Sequence, residues 1–352
     1  MLVLVVLLNN QNRDQLMKRY EMHPVTSPEQ PVGWQLVDAE APTLGPGQVL
    51  IHVRAVSLNY RDLLISQNVK RTRTIVPCSD GAGDIVAVGE GVSRVNIGDR
   101  VAGIFFQTWL TGPLVDEVHD QALGGSADGM LTEYIVLSEQ GVVKLPDYLT
   151  YEEAACLPCA AVTVWNGLFE QGHLQPGETV LLQGTGGVSI FGLQLAKLAG
   201  ARVIITSSSD EKLTRARELG ADETINCRTT PDWEIEAKRL TNGLGADHIV
   251  EVGGAGTLQK SLGATRASGH IAFVGVLTGP SAPIATGPIL TKSLRITGIY
   301  VGSRVMFDHL LAAMTPTQLR PITDRVFDFA DALAALAHLQ SGSHFGKVVV
   351  KL

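Results

Sequence analysis

The run Gly184-Thr185-Gly186-Gly187-Val188-Ser189 carries glycines at the spacing of a tight phosphate-cradling turn. Glycine lets backbone N–H groups approach a pyrophosphate closely, and the first turn of a helix adds the positive end of its dipole. Glycine runs are common in loops, so the context decides. Here Thr179-Val180-Leu181-Leu182 precedes the turn as a continuous apolar run suited to a strand buried on both faces. Val188, Phe191, Leu195 and Leu198 follow at three- and four-residue spacing, the period of a helix with one face on a sheet and Lys197 toward water. Ser189 stands where a third glycine is usual and is small enough for close helix–strand packing. Gly184, Gly186, Gly187 and Val188 are therefore expected to hold a dinucleotide.

The end of the next strand, Arg202-Val203-Ile204-Ile205-Thr206, selects the cofactor. Folds that take NAD commonly place an acidic residue there, about twenty residues beyond the glycines, to hold the ribose 2′-hydroxyl. This chain has Thr206-Ser207-Ser208-Ser209 instead. With no carboxylate to repel it, a 2′-phosphate can accept hydrogen bonds from Ser207 and Ser208 and be neutralised by Lys212, with Arg215 in support. The expectation is NADPH. Two competing readings stand: Asp210 holds a ribose hydroxyl, or the serines cap the following helix.

These residues need elements to position them. From Gly47 to about Val143 the chain reads as short β segments punctuated by glycine, such as Gln48-Val49-Leu50-Ile51-His52-Val53-Arg54-Ala55-Val56 with its rough alternation. Thr150 with Glu153 three residues on forms a capping-box signal, and the chain changes character there. Beyond Gly177 strands and helices alternate: His248-Ile249-Val250-Glu251-Val252 and His270-Ile271-Ala272-Phe273-Val274 repeat the buried-strand pattern, and Leu213, Ala216 and Leu219 form a helical face that Gly220 can end. Successive βαβ units imply right-handed crossovers and a doubly wound parallel sheet.

A length of 352 residues suggests two domains. With 45% hydrophobic and 18% charged residues, 37 glycines and 5% aromatics, the composition suits a turn-rich α/β enzyme and not a disordered chain. Lys plus Arg total 28 against 35 Asp plus Glu, a net charge of -7, with no basic stripe to neutralise a phosphate backbone, so nucleic acid is not an expected partner. The apolar opening Met1 to Leu8 is too short for a bilayer and lacks the flanks of an export signal, which points to the cytosol. Residues 1–16 are expected to be a flexible extension, with Met17 as an alternative start. Four cysteines, Cys78, Cys156, Cys159 and Cys227, make no disulfide framework, and the nine histidines show no ligand spacing. Cys156-Leu157-Pro158-Cys159 reads as packing thiols, with a redox pair as the alternative.

From about Val32 to Leu352 the chain resembles the medium-chain dehydrogenase/reductase superfamily of zinc alcohol dehydrogenases and quinone reductases. Four features carry the resemblance: Ser57-Leu58-Asn59-Tyr60-Arg61-Asp62; Val86, Gly89-Glu90-Gly91-Val92 and Gly98-Asp99-Arg100-Val101; the glycine turn; and Gly346-Lys347-Val348-Val349. It implies an α/β fold: a GroES-like β-rich catalytic domain from both chain ends, 17–150 and 303–352, with a Rossmann domain, 151–302, inserted and a cofactor in the cleft. Zinc-dependent members hold the catalytic metal by Cys, His and Cys. Matching the motifs puts those positions on Asn59, on Ser79 beside Asp80, and on Cys159, a set that does not supply the three ligands zinc wants. Residues 96–131 contain no cysteine, so the structural zinc lobe is missing too. The resemblance is thus to the zinc-independent, quinone reductase-like branch.

Without a Lewis acid, acceptors that delocalise the incoming charge are favoured: quinones, enones and related carbonyls. The resemblance assigns catalysis to Asn59 and Tyr60 near the developing oxyanion, with water or Tyr60 supplying the proton, and to Asp62 as a structural or cofactor-orienting group. Alternatively, Asn59 caps a turn and Tyr60 is a wall residue. Thr163, Gly253, Gly275, Val276, Val301, Gly302 and Arg304 match segments lining the cofactor. Homodimerisation through Lys292 to Val301 is implied. Two other functions stay open, a zinc-free alcohol dehydrogenase and a NADPH-binding protein with little catalysis.

Overall fold

The computed structural model describes residues 16–27 and 33–352. The expectation of a flexible extension lies outside these residues except for Leu16, which opens the first strand. The chain forms two compact units, one of residues up to Cys159 joined by Ser303–Leu352 and one of Ala160–Gly302. Residues 151–159, read from sequence as the opening of the second domain, belong to the first unit.

The first unit begins with β1 (Leu16–Met22) and β2 (Trp34–Glu40), an antiparallel pair. Then come β3 (Gln48–Leu58), α1 (Tyr60–Ser66), β4 (Asp80–Val88), β5 (Arg100–Gly103), β6 (Tyr134–Ser138), β7 (Val142–Lys144) and α2 (Tyr151–Ala154). In the second unit, α3 (Val162–Trp165) leads to β8 (Thr179–Gln183), α4 (Gly187–Leu198), β9 (Arg202–Ser207), α5 (Asp210–Glu218), β10 (Glu223–Asn226) and α6 (Trp233–Leu240). It continues through β11 (Ala246–Glu251), α7 (Leu258–Ala264), β12 (Thr265–Phe273), α8 (Gly287–Thr291) and β13 (Arg295–Gly298). The chain then returns to the first unit with α9 (Arg304–Met314), β14 (Thr323–Asp328), α10 (Ala332–Gln340) and β15 (Lys347–Lys351).

Seven strands of the first unit make one sheet in the order β14-β15-β3-β4-β5-β7, with β6 also paired to β3. Strand β3 alternates between buried and half-buried residues over Gln48–Arg54, as its sequence predicts, and is fully buried over Ala55–Leu58. That buried end delivers the chain to Asn59. Strand β15 pairs antiparallel with it, Val348 opposite Leu58, so the two chain ends meet beside the same residue. The core is filled by Val49, Ile51, Val53, Leu58, Ile85 and Val101 of the sheet, with Ala335, Leu336 and Leu339 of α10 packed on it.

The second unit is the expected doubly wound parallel sheet, ordered β10-β9-β8-β11-β12-β13. The winding reverses at β8, and the turn after β8 stands at the carboxyl edge beside that reversal, the general place for a ligand in such sheets. Helix α4 buries more than the predicted stripe. Ile190, Phe191, Leu193, Leu195 and Ala196 are all enclosed, while Leu198 lies 37% exposed and Val188 is half-buried. The helix packs against α3 as well as the sheet, and so needs apolar residues on two sides.

Candidate active site

In the second unit, Gly184 leaves β8 with φ +73°, and a β-carbon built there would meet no atom within 4 Å. The left-handed backbone, and not crowding, requires glycine at this position. Gly186 is the N-cap of the 12-residue α4, Gly187 its first residue and Val188 its second, so their N–H groups begin a helix with no side-chain cap. Gly184 N also donates to Thr206 Oγ1 at 3.4 Å, tying the turn to the end of β9. Ser189 does not leave its hydroxyl idle: Oγ donates to Gln183 O at 2.6 Å. Close helix–strand contact falls instead to Gly192, where a β-carbon would lie 2.7 Å from Leu182 Cδ2. Sequence reasoning missed that residue, whose only signal was a glycine inside an otherwise apolar helix.

At the end of β9, Ser207 is buried and its Oγ accepts from Ser209 N, while Ser208 is exposed. Ser209 caps α5 by accepting from Lys212 N, as the capping reading expected for one of the serines. Asp210 is the first residue of α5, and its carboxylate accepts from Asn226 Nδ2 at 2.7 Å. Gly253 follows β11, and Gly275 and Val276 follow β12, so the same edge gathers the predicted lining segments. Their loop is pinned by Glu251, fully buried at the end of β11. Its Oε1 accepts from Gly253 N, Gly254 N and Thr257 Oγ1, and its Oε2 from Gln183 Nε2 and Ser261 Oγ.

Val301 is β-branched yet sits at φ +60°, a conformation costing about 1–3 kcal/mol that persists only where surroundings enforce it. Asn166 Nδ2 enforces it by donating to Val301 O at 2.8 Å in a buried setting. Gly302 follows, and Thr163, buried in α3, stands three residues before Asn166. Glu251, Gln183 and Asn166 were not anticipated.

In the first unit, Asn59 occupies the N-cap position of α1. Its backbone N–H donates to Asp62 Oδ2 at 2.7 Å and its carbonyl accepts from Asp62 N, so Asp62 locks the turn. Burial raises the Asp62 pKa to about 6, although Arg61, 3.7 Å away, favours its charge. Tyr60, 43% exposed, has no hydrogen-bond partner among the described residues. Asp80, fully buried, accepts from Ser79 Oγ at 2.6 Å and from Cys159 N at 3.1 Å. Burial raises its pKa, against the pull of Lys347 and the Ser79 hydroxyl.

Lys347, only 3% exposed, donates to Leu58 O at 2.8 Å and to Asn59 Oδ1 at 2.6 Å. Arg304, predicted to line the cofactor, belongs to this unit and holds Gln140 O and Oε1. Cys156 and Cys159 are both free thiols, and burial raises the Cys156 pKa to about 11 and that of Cys159 further. Elevated thiol pKa values oppose redox reactivity.

Residues 45–147 match the alcohol dehydrogenase GroES-like domain and residues 187–315 the zinc-binding dehydrogenase domain. A zinc-type alcohol dehydrogenase-like protein of Schizosaccharomyces pombe is 44% identical over 318 residues, 88% of this chain and 92% of its own. The chain belongs to the medium-chain dehydrogenase/reductase superfamily. Two solved structures are similar along this dehydrogenase/reductase. One, an alcohol dehydrogenase-type protein of Sinorhizobium meliloti 1021, is 41% identical with a TM-score of 0.89, covering 96% of this chain and 99% of its own. The other, the quinone oxidoreductase of Pseudomonas syringae, is 28% identical with a TM-score of 0.78, covering 96% and 100%. As a member of this superfamily the protein is an NAD(P)-dependent oxidoreductase, the class its glycine turn predicted.

Proposed function

We propose that this dehydrogenase/reductase works without catalytic zinc, using NADPH to reduce a quinone, an enone or a related carbonyl. One observation carries the reading: at two of the three positions where zinc-dependent members hold their metal, the polar atoms are of the wrong kind and already engaged. Asn59 Oδ1 accepts from the Lys347 ammonium and Ser79 Oγ donates to Asp80, which leaves Cys159 as the one sulfur ligand. An ammonium on one ligand position repels a divalent ion, and a single cysteine does not make the three-ligand set that zinc takes. Among the described residues no group of three His, Cys, Asp or Glu is arranged to hold a metal. The word zinc-type belongs to the relative's name; this chain's donor set does not fit the ion.

The glycine turn fits a dinucleotide, because Gly184 is open where a side chain would stand and α4 presents uncapped N–H groups. Gly184, Gly186, Gly187 and Val188 would hold the pyrophosphate, and Ser207, Ser208 and Lys212 the 2′-phosphate. Asp210 is engaged by Asn226, which counts against its holding a ribose hydroxyl. When bound, reduced nicotinamide supplies a hydride. Asn59 Nδ2, buried and lacking a hydrogen-bond partner, is the donor available to a developing oxyanion. Tyr60, 43% exposed at the start of α1, would exchange its hydroxyl proton with water.

The alcohol dehydrogenase names among the relatives favour a second reading, oxidation of an alcohol on the same residues. Nucleotide oxidation measured with NADPH and NADH against quinones, enones, aldehydes and ketones separates the two. We expect NADPH turnover on quinones or enones that survives a chelator. Activity confined to simple alcohols, or stoichiometric zinc whose removal abolishes turnover, would reverse the assignment. The reading further places the protein in the cytosol, in accord with its four free cysteines, as a homodimer paired along β13.

A further inference from the structure

Lys347 is a buried ammonium whose hydrogen bonds go to two neutral oxygens, Leu58 O and Asn59 Oδ1, and no carboxylate among the described residues lies within ion-pair distance of it. Beyond ion-pair distance, two buried carboxylates, Asp80 and Asp62, feel this charge, which favours their ionised forms. Its direct hydrogen bond does something further: it fixes an amide. Asparagine presents a carbonyl oxygen and an NH2 group that can exchange places by a half-turn. An ammonium only donates, so with Lys347 on one side Oδ1 must face it and the NH2 must face away. On the far side, Asn59 Nδ2 is buried without a hydrogen-bond partner. The Asn59 amide also favours the ionised form of the buried Asp80 carboxylate. The positive charge on Oδ1 also polarises the amide and strengthens its N–H groups as donors.

We infer that Lys347 is a positioning residue for the reaction: it holds the Asn59 side chain so that Nδ2 is presented as a preorganised donor to the substrate oxygen that gains charge. This rests on the proposed reduction of a quinone, enone or carbonyl, and assigns to the closing strand of the fold a part in it. Sequence marks Lys347 as part of the closing Gly346-Lys347-Val348-Val349 motif and gives no sign of its partner, which is 288 residues away.

The test uses the full-length protein with NADPH and whichever of a benzoquinone or a cyclic enone it reduces faster, in four variants: Lys347→Met, Lys347→Arg, Asn59→Ala and the double Lys347→Met/Asn59→Ala. Removing an oxyanion donor typically lowers turnover about 100-fold or more. We expect Lys347→Met to lower kcat by roughly tenfold to 100-fold with the NADPH dissociation constant within about twofold of wild type, and Lys347→Arg to recover part of the loss. The double variant should be no slower than Asn59→Ala alone, because both remove one function. Losses that multiply, or a Lys347→Met defect confined to nucleotide binding, would overturn the inference.

Should Lys347→Met fail to fold, Asn59→Asp decides. It keeps an acceptor for Lys347 but has no N–H to donate, so it should fold and be as slow as Asn59→Ala; full activity would overturn the inference. A readout independent of turnover is the Asn59 side-chain amide resonance in cofactor-free protein. It should be a single sharp pair in wild type and broaden in Lys347→Met; an unchanged pair would again count against it. A wild-type protein that reduces no acceptor overturns the proposed function and this inference together, whereas an active wild type with uncoupled variants overturns the inference alone.

Discussion

A single carboxylate shows how side chains set the shape of the dinucleotide edge. Glu251 accepts from two backbone N–H groups and three side chains, all of them donors. In Glu251→Gln an NH2 replaces one oxygen and faces groups that also donate, so the volume is kept while the hydrogen bonds clash. We expect a loss of roughly 2–3 kcal/mol in urea unfolding and a weaker hold on the NAD(P) cofactor through the 252–257 loop. A midpoint unchanged from wild type would contradict this account. At this scale legibility followed sequence distance. The glycine turn and the Thr150–Glu153 capping box are local patterns, and both are present. The Lys347–Asn59 and Asn166–Val301 pairs span 288 and 135 residues and are set by how strands and segments meet, which no local pattern encodes.

Among the elements, β12 carries a titratable residue into the second unit's sheet. His270 is fully enclosed, its Nε2 lies 3.2 Å from Thr297 Oγ1 on β13, and its Nδ1 has no partner. Burial lowers its pKa from 6.5 to about 4, with His248, Arg295 and His173 adding to the effect. Folded protein therefore keeps His270 neutral where the unfolded chain binds a proton, so stability is whole above about pH 6.5 and falls as pH drops toward 4. The loss attributable to His270 is at most about 3 kcal/mol. Thermal unfolding followed from pH 7 to 4.5 should show a decline that His270→Gln flattens; a parallel decline in both proteins would refute it. The sequence placed His270 in a strand, as it is, because apolar neighbours mark a buried strand plainly. It foresaw one buried face for α4, where two are covered, because the second depends on α3, whose approach is a tertiary matter.

For the molecule as a whole, the homodimer reading predicts where it can be broken. β13 is an edge of the six-stranded sheet, with Ile296 37% and Tyr300 47% exposed. A charge on such an edge discourages pairing, so Ile296→Lys should weaken self-association at least tenfold by sedimentation. Wild type sedimenting as a monomer at micromolar concentration would remove the pairing. The return of Ser303–Leu352 to the first unit carries a temporal consequence. Asn59 leaves the ribosome first, and the ammonium that holds its amide is translated 288 residues later, after the whole nucleotide-binding unit has been made. No nascent or clipped polypeptide ending before Lys347 can assemble this pair, so the amide stays unrestrained until the second unit has been synthesised.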